Sequence, residues 1–284
     1  MMSHTGTPTI ESTRRQWEAA AEGWNAYSPM LHSWLGSSTR TLFDAAGVAA
    51  GQSVLDIAAG AGDQTMMLAD RIGAEGRILA TDLSPELINR LKRNASQARG
   101  GTIEGRVADA QEAFDEREAF DAAVCRLGLM LMPKPALCLA AVYAALRPKA
   151  RFAALVFAEP DTNPCIRILM STALRHAGLP PRDPFAPGGL LSLGRPGDLD
   201  RLFETAGFTE VSSFKIEAPI RLPSVDEYIT FLRAAAAPVI AVLSGLEAKA
   251  QEAAWQDMRE QLSVYGGPTG WVGPNTLLIT AGRK

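Results

Sequence analysis

Cysteine is scarce in this chain. Among 284 residues there are three, Cys125, Cys138 and Cys165, far apart and without a C-x-x-C pair. That density excludes a disulfide framework and leaves no structural zinc spacing. No metal is expected, and a reduced, cytoplasmic setting is the expectation. An excess of basic charge is also lacking. Lys and Arg number 28 against 31 Asp and Glu, the net charge is −3, and no long basic run occurs. Nucleic acid is therefore not an expected partner. Long apolar runs are missing too. The longest, Ala234 to Leu243, contains Pro238 and is too short to span a bilayer, so no integral membrane segment is expected. The first residues lack a basic-then-apolar leader pattern. What is present is 47% hydrophobic and 21% charged sequence, enough for one large domain with insertions and a sizeable core.

The most informative stretch runs from Val54 to Thr65. Val54, Leu55 and Ile57 suit a buried parallel strand. Gly60 and Gly62 let the backbone turn sharply and let a ligand approach it. Asp63 suits the first turn of a following helix. A dinucleotide fingerprint begun at Gly60 would need glycine where Thr65 stands, and Asp56 at the strand end would repel a pyrophosphate. A cationic ligand without phosphate fits better, and S-adenosylmethionine, with its sulfonium, ammonium, ribose and adenine, is such a ligand. Two further strands end in acids. Arg77 to Asp82 places Asp82 about 20 residues past the glycine loop, the spacing at which a carboxylate meets ribose hydroxyls. Gly105 to Ala110 places Asp109 similarly. Each acid alone also reads as a solvated loop residue; together they predict a negative sheet edge.

On these residues the chain resembles the class I S-adenosylmethionine-dependent methyltransferases, most of all the branch with the ubiquinone and menaquinone C-methyltransferases. The similarity covers about Gly51 to Phe157. It implies a Rossmann-like α/β fold: a seven-stranded sheet, mostly parallel, with the last strand antiparallel and helical lid insertions. It implies a cofactor set of Asp56, Ala58, Gly60, Ala61, Gly62, Asp82, Leu83, Asp109, Ala110 and Arg126. In that set Gly60, Ala61 and Gly62 pass the methionyl part, Asp82 takes the ribose, and Asp109 with Ala110 takes the adenine. The chain departs from the pattern at Arg126, where the quinone branch usually has serine. It departs again at Ala58, in place of a glycine, and at Lys149-Ala150, in place of Gly-Gly.

Read in order, residues 1 to about 10 form a loose tail, and Thr13 to Gln16 offer a capping box. Trp17, Ala20, Trp24 and Tyr27 recur at helical spacing, which serves both a core stripe and a lid over the ligand. Pro29 to Ser38 reads as a break, followed by a helix from Thr39 to Ala46. Helices are predicted over 64–72, from Ser84, over 135–146, from Asn163 to about Ala177, over 198–206, 224–237 and 246–265. Strands are predicted over 120–126, 151–157, 211–218 and 276–281. Met130 and Met132 serve either an acceptor pocket or ordinary core filling. This predicts one methyltransferase domain over 1–284: N-terminal lid helices at 1–50, a cofactor core at 51–158, lid or cap insertions at 159–205 and 223–270, and closing strands at 206–222 and 271–284.

Methyl transfer from a sulfonium needs alignment and exclusion of water more than a catalytic triad. A base matters only where the acceptor atom carries a proton. His32, Glu159 and His176, with Asp161, are the candidates, and each also reads as an ordinary surface or packing residue. The expected partner is a small, largely apolar acceptor, aromatic or quinone-like, and a homodimer is a further expectation. The alternatives are a nicotinamide-dependent oxidoreductase and a methyltransferase fold used for non-methylating binding or chemistry.

Overall fold

The structure, a computed structural model, describes residues 9–96 and 100–284. The tail expected over residues 1 to 10 lies mostly outside them. Helix α1 (Ile10–Ala26) starts earlier than the capping box at Thr13 predicts. Thr9 and Ser12 cap it reciprocally, each side chain accepting the other's backbone N–H, so Thr13 is already inside the first turn. Helix α2 (Ser28–Ala45) also corrects the reading. Pro29 falls in its first turn, where no N–H is needed, so the expected break over 29–38 is helical.

Strand and helix then alternate: β1 (Ser53–Ile57), α3 (Asp63–Ile72), β2 (Arg77–Asp82), α4 (Pro85–Ala95), β3 (Thr102–Val107), β4 (Phe120–Arg126), α5 (Pro135–Ala145) and β5 (Leu146–Phe157). As predicted, Ser84 caps α4, its hydroxyl accepting Leu87 N–H at 3.2 Å. β3 begins and ends earlier than expected, so Asp109 stands in the loop beyond it. It is an edge strand, exposed at alternate residues, and its apolar signal is weak. β5 starts at Leu146 rather than Arg151, with a left-handed residue at Lys149 (φ 72°) and a register shift against β4.

The rest is α6 (Pro164–His176), α7 (Asp198–Thr205), β6 (Thr209–Glu217), β7 (Ile220–Leu222), α8 (Val225–Ala235), α9 (Ala237–Leu243), α10 (Ala248–Leu262), β8 (Gly266–Gly267), β9 (Gly270–Gly273) and β10 (Thr276–Arg283). α9 and the small sheet β7-β9-β8 were not predicted from the sequence. The main sheet has the order β3-β2-β1-β4-β5-β10-β6. β10 runs antiparallel to both of its neighbours, and the pairs among β1 to β5 are parallel. This is the Rossmann-like, seven-stranded sheet that the resemblance implies.

The central strands are buried on both faces: Leu55, Ile57, Leu79, Val124, Phe152 and Leu155 have essentially no exposed surface. A second apolar cluster joins α2, α6, α8, α9 and α10, with Leu31, Leu169, Phe231, Trp255 and Trp271 inside it. Asn163 links the two. Instead of capping α6, its buried amide donates to Ala158 O (3.1 Å) and Thr276 O (3.0 Å), and its oxygen accepts Thr276 N–H at 3.1 Å. The segment between β6 and β10 leaves and returns at adjacent points: Glu217 pairs with Thr276, and Ala218 N–H donates to Asn275 O at 2.8 Å. Among the described residues, no helix is long and apolar enough to cross a membrane.

Candidate functional site

One cavity opens where β1, β2, β4 and β5 end. Its floor begins at the loop after β1. Ala58 is left-handed (φ 54°), as are Gly60 (φ 59°) and Gly62 (φ 99°). A side chain on Gly60 would meet nothing within 4 Å, because that face of the loop looks into open space. One on Gly62 would meet Leu91 of α4 at 3.1 Å, so this glycine serves helix packing. Ala58, Gly60 and Ala61 line the cavity and Gly62 does not.

Asp82, at the end of β2, lies on the wall. Its carboxylate accepts Gly60 N–H at 3.0 Å and Ser84 N–H at 2.9 Å, which fixes the loop and the start of α4 at once. Burial raises its carboxyl above the ordinary value, against those same backbone bonds. A carboxylate has about four lone-pair positions, so capacity remains for hydroxyl donors in the cavity. Asp109 spends one oxygen on Gln111 N–H at 2.9 Å. Its other oxygen is buried without a protein partner. Buried acceptors are normally satisfied, so a donor such as an exocyclic amine fits there. Leu83 and Ala110 line the wall beside these acids, and Asp63, missed as a cavity residue, faces in from the first turn of α3.

Asp56 is a correction. It does not line the cavity and is fully buried inside the sheet, paired in register with Ala80 and Val124. Its carboxylate accepts Thr65 Oγ1–H at 2.6 Å and the Gln64 side-chain amide. It therefore anchors the start of α3 from beneath. Burial pushes its carboxyl up to about 6, against the bonds from Thr65 and Gln64 and the charge of Arg126. The folded chain thus holds this proton more tightly than the unfolded chain does. The associated stability is full below about pH 4 and is lost as pH rises through about 6, about 3 kcal/mol in all. In Asp56→Asn, urea unfolding is expected to lose this slope and to show higher stability than wild type at neutral pH. The unpartnered buried Oε1 of Gln64 is a ready acceptor for the new amide.

The opposite wall is aromatic. Trp17, Trp24 and Trp34 come from α1 and α2, Phe157 from β5, and Tyr228 and Phe231 from α8. Trp34 stacks on Phe157 with centroids 6.3 Å apart, and its Nε1–H donates to Ala218 O at 2.7 Å. Trp24 packs on Phe231 and donates to Ala235 O at 3.0 Å, so the tryptophan stripe is at once packed and cavity-facing. Met130 and Met132 also line the cavity. Tyr228 and Phe231, unnamed in the sequence reading, carry the signal that could have found them: with Leu232 and Ala235 they make one helical face.

The base candidates lie elsewhere. His32 is exposed. His176 Nε2 bonds Asp257 at 2.8 Å, and Glu159 is paired with Lys215. None of these, nor Asp161, lines the cavity. Glu159 and Asp161 follow β5 in sequence, His32 lies on α2 and His176 ends α6, and the side chains of Glu159, His32 and His176 are drawn to a partner or to solvent outside.

Arg126, at the end of β4, does line the cavity. Its Nη1–H donates to Thr39 Oγ1 of α2 at 2.9 Å. Burial lowers its pKa, while the charges of Asp63 and Asp56 act to raise it.

This fold, with an acid at the end of β2, another just past β3 and a glycine loop after β1, is similar to that of the class I S-adenosylmethionine-dependent methyltransferases. In agreement, residues 54–149 match the family model described as "Methyltransferase domain". The chain is similar to the ubiquinone/menaquinone biosynthesis C-methyltransferase of Idiomarina loihiensis, 32% identical over 123 residues, 43% of this chain and 49% of that one. It spans about half the length of the curated relatives it matches. Two solved structures share the fold. The YcgJ protein of Bacillus subtilis superimposes with a TM-score of 0.57 at 16% identity, over 89% of this chain and 98% of its own. Phosphoethanolamine N-methyltransferase 2 of Haemonchus contortus, in complex with S-adenosyl-L-methionine, gives 0.59 at 14%, over 98% and 60%.

Proposed function

We propose that the protein transfers a methyl group from S-adenosylmethionine to a small, largely apolar acceptor, aromatic or quinone-like. The observation that carries this reading is the continuity of one cavity between two kinds of wall. Asp82, Asp109 and the glycine loop line one part, and Trp24, Trp34, Phe157 and Phe231 line another. The relatives named as quinone C-methyltransferases support the acceptor class.

Bound there, the cofactor supplies an electrophilic methyl on a good leaving group. Asp82 would take the ribose hydroxyls, the free Asp109 oxygen the adenine amine, and the Ala58 to Ala61 backbone the methionyl part. The segments at 9–50, 159–205 and 223–270 would act as the lid that excludes water and seats the acceptor. Asp63, facing the cavity from the first turn of α3, stands where a dinucleotide fold seats its pyrophosphate at a helix N-terminus, and so disfavours a nicotinamide dinucleotide.

Calorimetry with S-adenosylhomocysteine and with NADH tests this. Binding of the former alone is expected, with transfer of labelled methyl to a phenol or quinol in a small-molecule panel. Binding of NADH alone would end the methyltransferase reading. Cofactor binding without transfer to any acceptor would favour a non-methylating use of the fold.

A further inference from the structure

β4 lies between β1 to β3, which lead to the acids, and β5, which ends at the aromatic Phe157. Arg126 is the last residue of β4 and stands on the cavity wall where the two parts join. A guanidinium has five N–H donors. Thr39 accepts from one, and no carboxylate among the described residues forms an ion pair with Arg126. By contrast Arg14, also on the wall, is bonded to Glu11 and Glu18. The charged groups around Arg126 are Asp63 from α3 and Asp56 from β1, with Asp82, Asp109 and Arg14 farther round the cavity.

Such a cation beside a bound sulfonium would be repelled by it. An anion between the two would be held by both. Among the described residues no histidine lines the wall: His32 and His176 lie outside, as does Glu159.

We infer that Arg126 binds an oxyanion of the acceptor, so that the acceptors are aromatic or enolic compounds taken up in ionised form, a phenolate, an enolate or a hydroquinone monoanion. The inference rests on the methyltransferase reading. A neighbouring cation favours the deprotonated acceptor. Its proton goes to water on binding; the electron pair left behind would form the new bond to the methyl carbon as the S–CH3 bond breaks and S-adenosylhomocysteine leaves, and where a ring carbon is the nucleophile its proton is lost to water afterwards, so the chain needs no base to ionise the acceptor. Asp63 and Asp56 act on Arg126 without forming an ion pair with it, and the anion's place is at the free N–H groups of its guanidinium, where the cavity continues to the Trp34 and Phe157 rings.

The test uses protein loaded with S-adenosylhomocysteine and two pairs of probes: umbelliferone against its methyl ether herniarin, and 2-naphthol against its methyl ether. Above the pKa of each phenol, at least one phenolate is expected to bind about tenfold more tightly than its ether. The absorption spectrum of that bound phenol is expected to remain that of the phenolate about one pH unit lower than in water. Arg126→Met should abolish both effects, Arg126→Lys should retain part of each, and S-adenosylhomocysteine affinity should stay within about threefold of wild type.

Equal binding of phenol and ether in both pairs overturns the proposal, as does a preference that survives in Arg126→Met. If Arg126→Met weakens S-adenosylhomocysteine about tenfold or more but leaves methylthioadenosine unchanged, Arg126 holds the carboxylate of the cofactor instead, and the acceptor assignment is overturned. Wild-type protein that fails to bind S-adenosylhomocysteine would overturn the methyltransferase reading itself, and this inference with it.

Discussion

Asp82→Ala is expected to weaken S-adenosylhomocysteine binding by roughly 100-fold, about 2.7 kcal/mol. Two losses combine. The ribose hydroxyls lose a charged acceptor. The N–H groups of Gly60 and Ser84 lose the carboxylate that holds the loop and the α4 start in place. Asp56→Asn provides the contrast, since Asp56 does not face the cavity. Its cofactor affinity should stay within about threefold of wild type. Calorimetry on both variants checks this. Near-equal losses would mean that the ribose contact has been assigned to the wrong acid.

Gly23→Ala is expected to undock α1. A Cβ at this position would stand 2.1 Å from Ala234 O and 2.5 Å from its carbonyl carbon, both backbone atoms of α8. Neither can rotate away, so one helix must shift. The shift would break the Trp24 bond to Ala235 O and the contacts of Trp24 and Tyr27 with Phe231, whose centroids lie 6.4 and 5.2 Å away. Overpacking of this kind costs about 1–3 kcal/mol. Because Trp17, Trp24 and Arg14 of α1 line the cavity, binding of aromatic probes should fall about tenfold while the sheet stays folded. Urea unfolding together with umbelliferone titration would show it; wild-type affinity in this variant would remove α1 from the acceptor pocket.

The parts of the fold that were legible in the sequence are those with strong local signals. β1, β2 and β4 are dense apolar runs, and the α4 start carries serine, proline and glutamate in the favoured order. The edge strand β3 is half solvated, so its boundaries slipped. The sheet β7-β9-β8 contains a strand made only of Gly266 and Gly267, which leaves no side-chain pattern to read. α2 was cut short because a proline reads as a breaker unless its place in the first turn is known.

At the site, position along the chain was legible and direction was not. Asp82, Asp109 and Arg126 stand on the wall, but Asp56, one residue inside its strand end, points into the sheet. The alternation of a strand decides which face a residue takes. A strand buried on both faces gives no polar pattern to reveal it. The charge that faces the cavity from this loop is therefore Asp63, not Asp56. Glu159 and Asp161 were chosen because they follow β5 at the sheet edge, and neither lines the cavity. Lys215 and Asp257, distant in sequence, take up the side chains of Glu159 and His176.

The adjacency of Glu217 and Thr276 makes residues 218–275 a cassette hung from a two-ended stalk. Its removal would ask only for a tight hairpin between neighbouring antiparallel strands, with no strand of the main sheet displaced. Chains with this sheet could thus exchange the whole unit as one piece, keeping the acid-bearing part of the cavity while trading the wall that Ile220, Tyr228 and Phe231 supply. A chimera in which a foreign segment replaces this one, joined at the same two residues, would change that wall and leave the sheet intact.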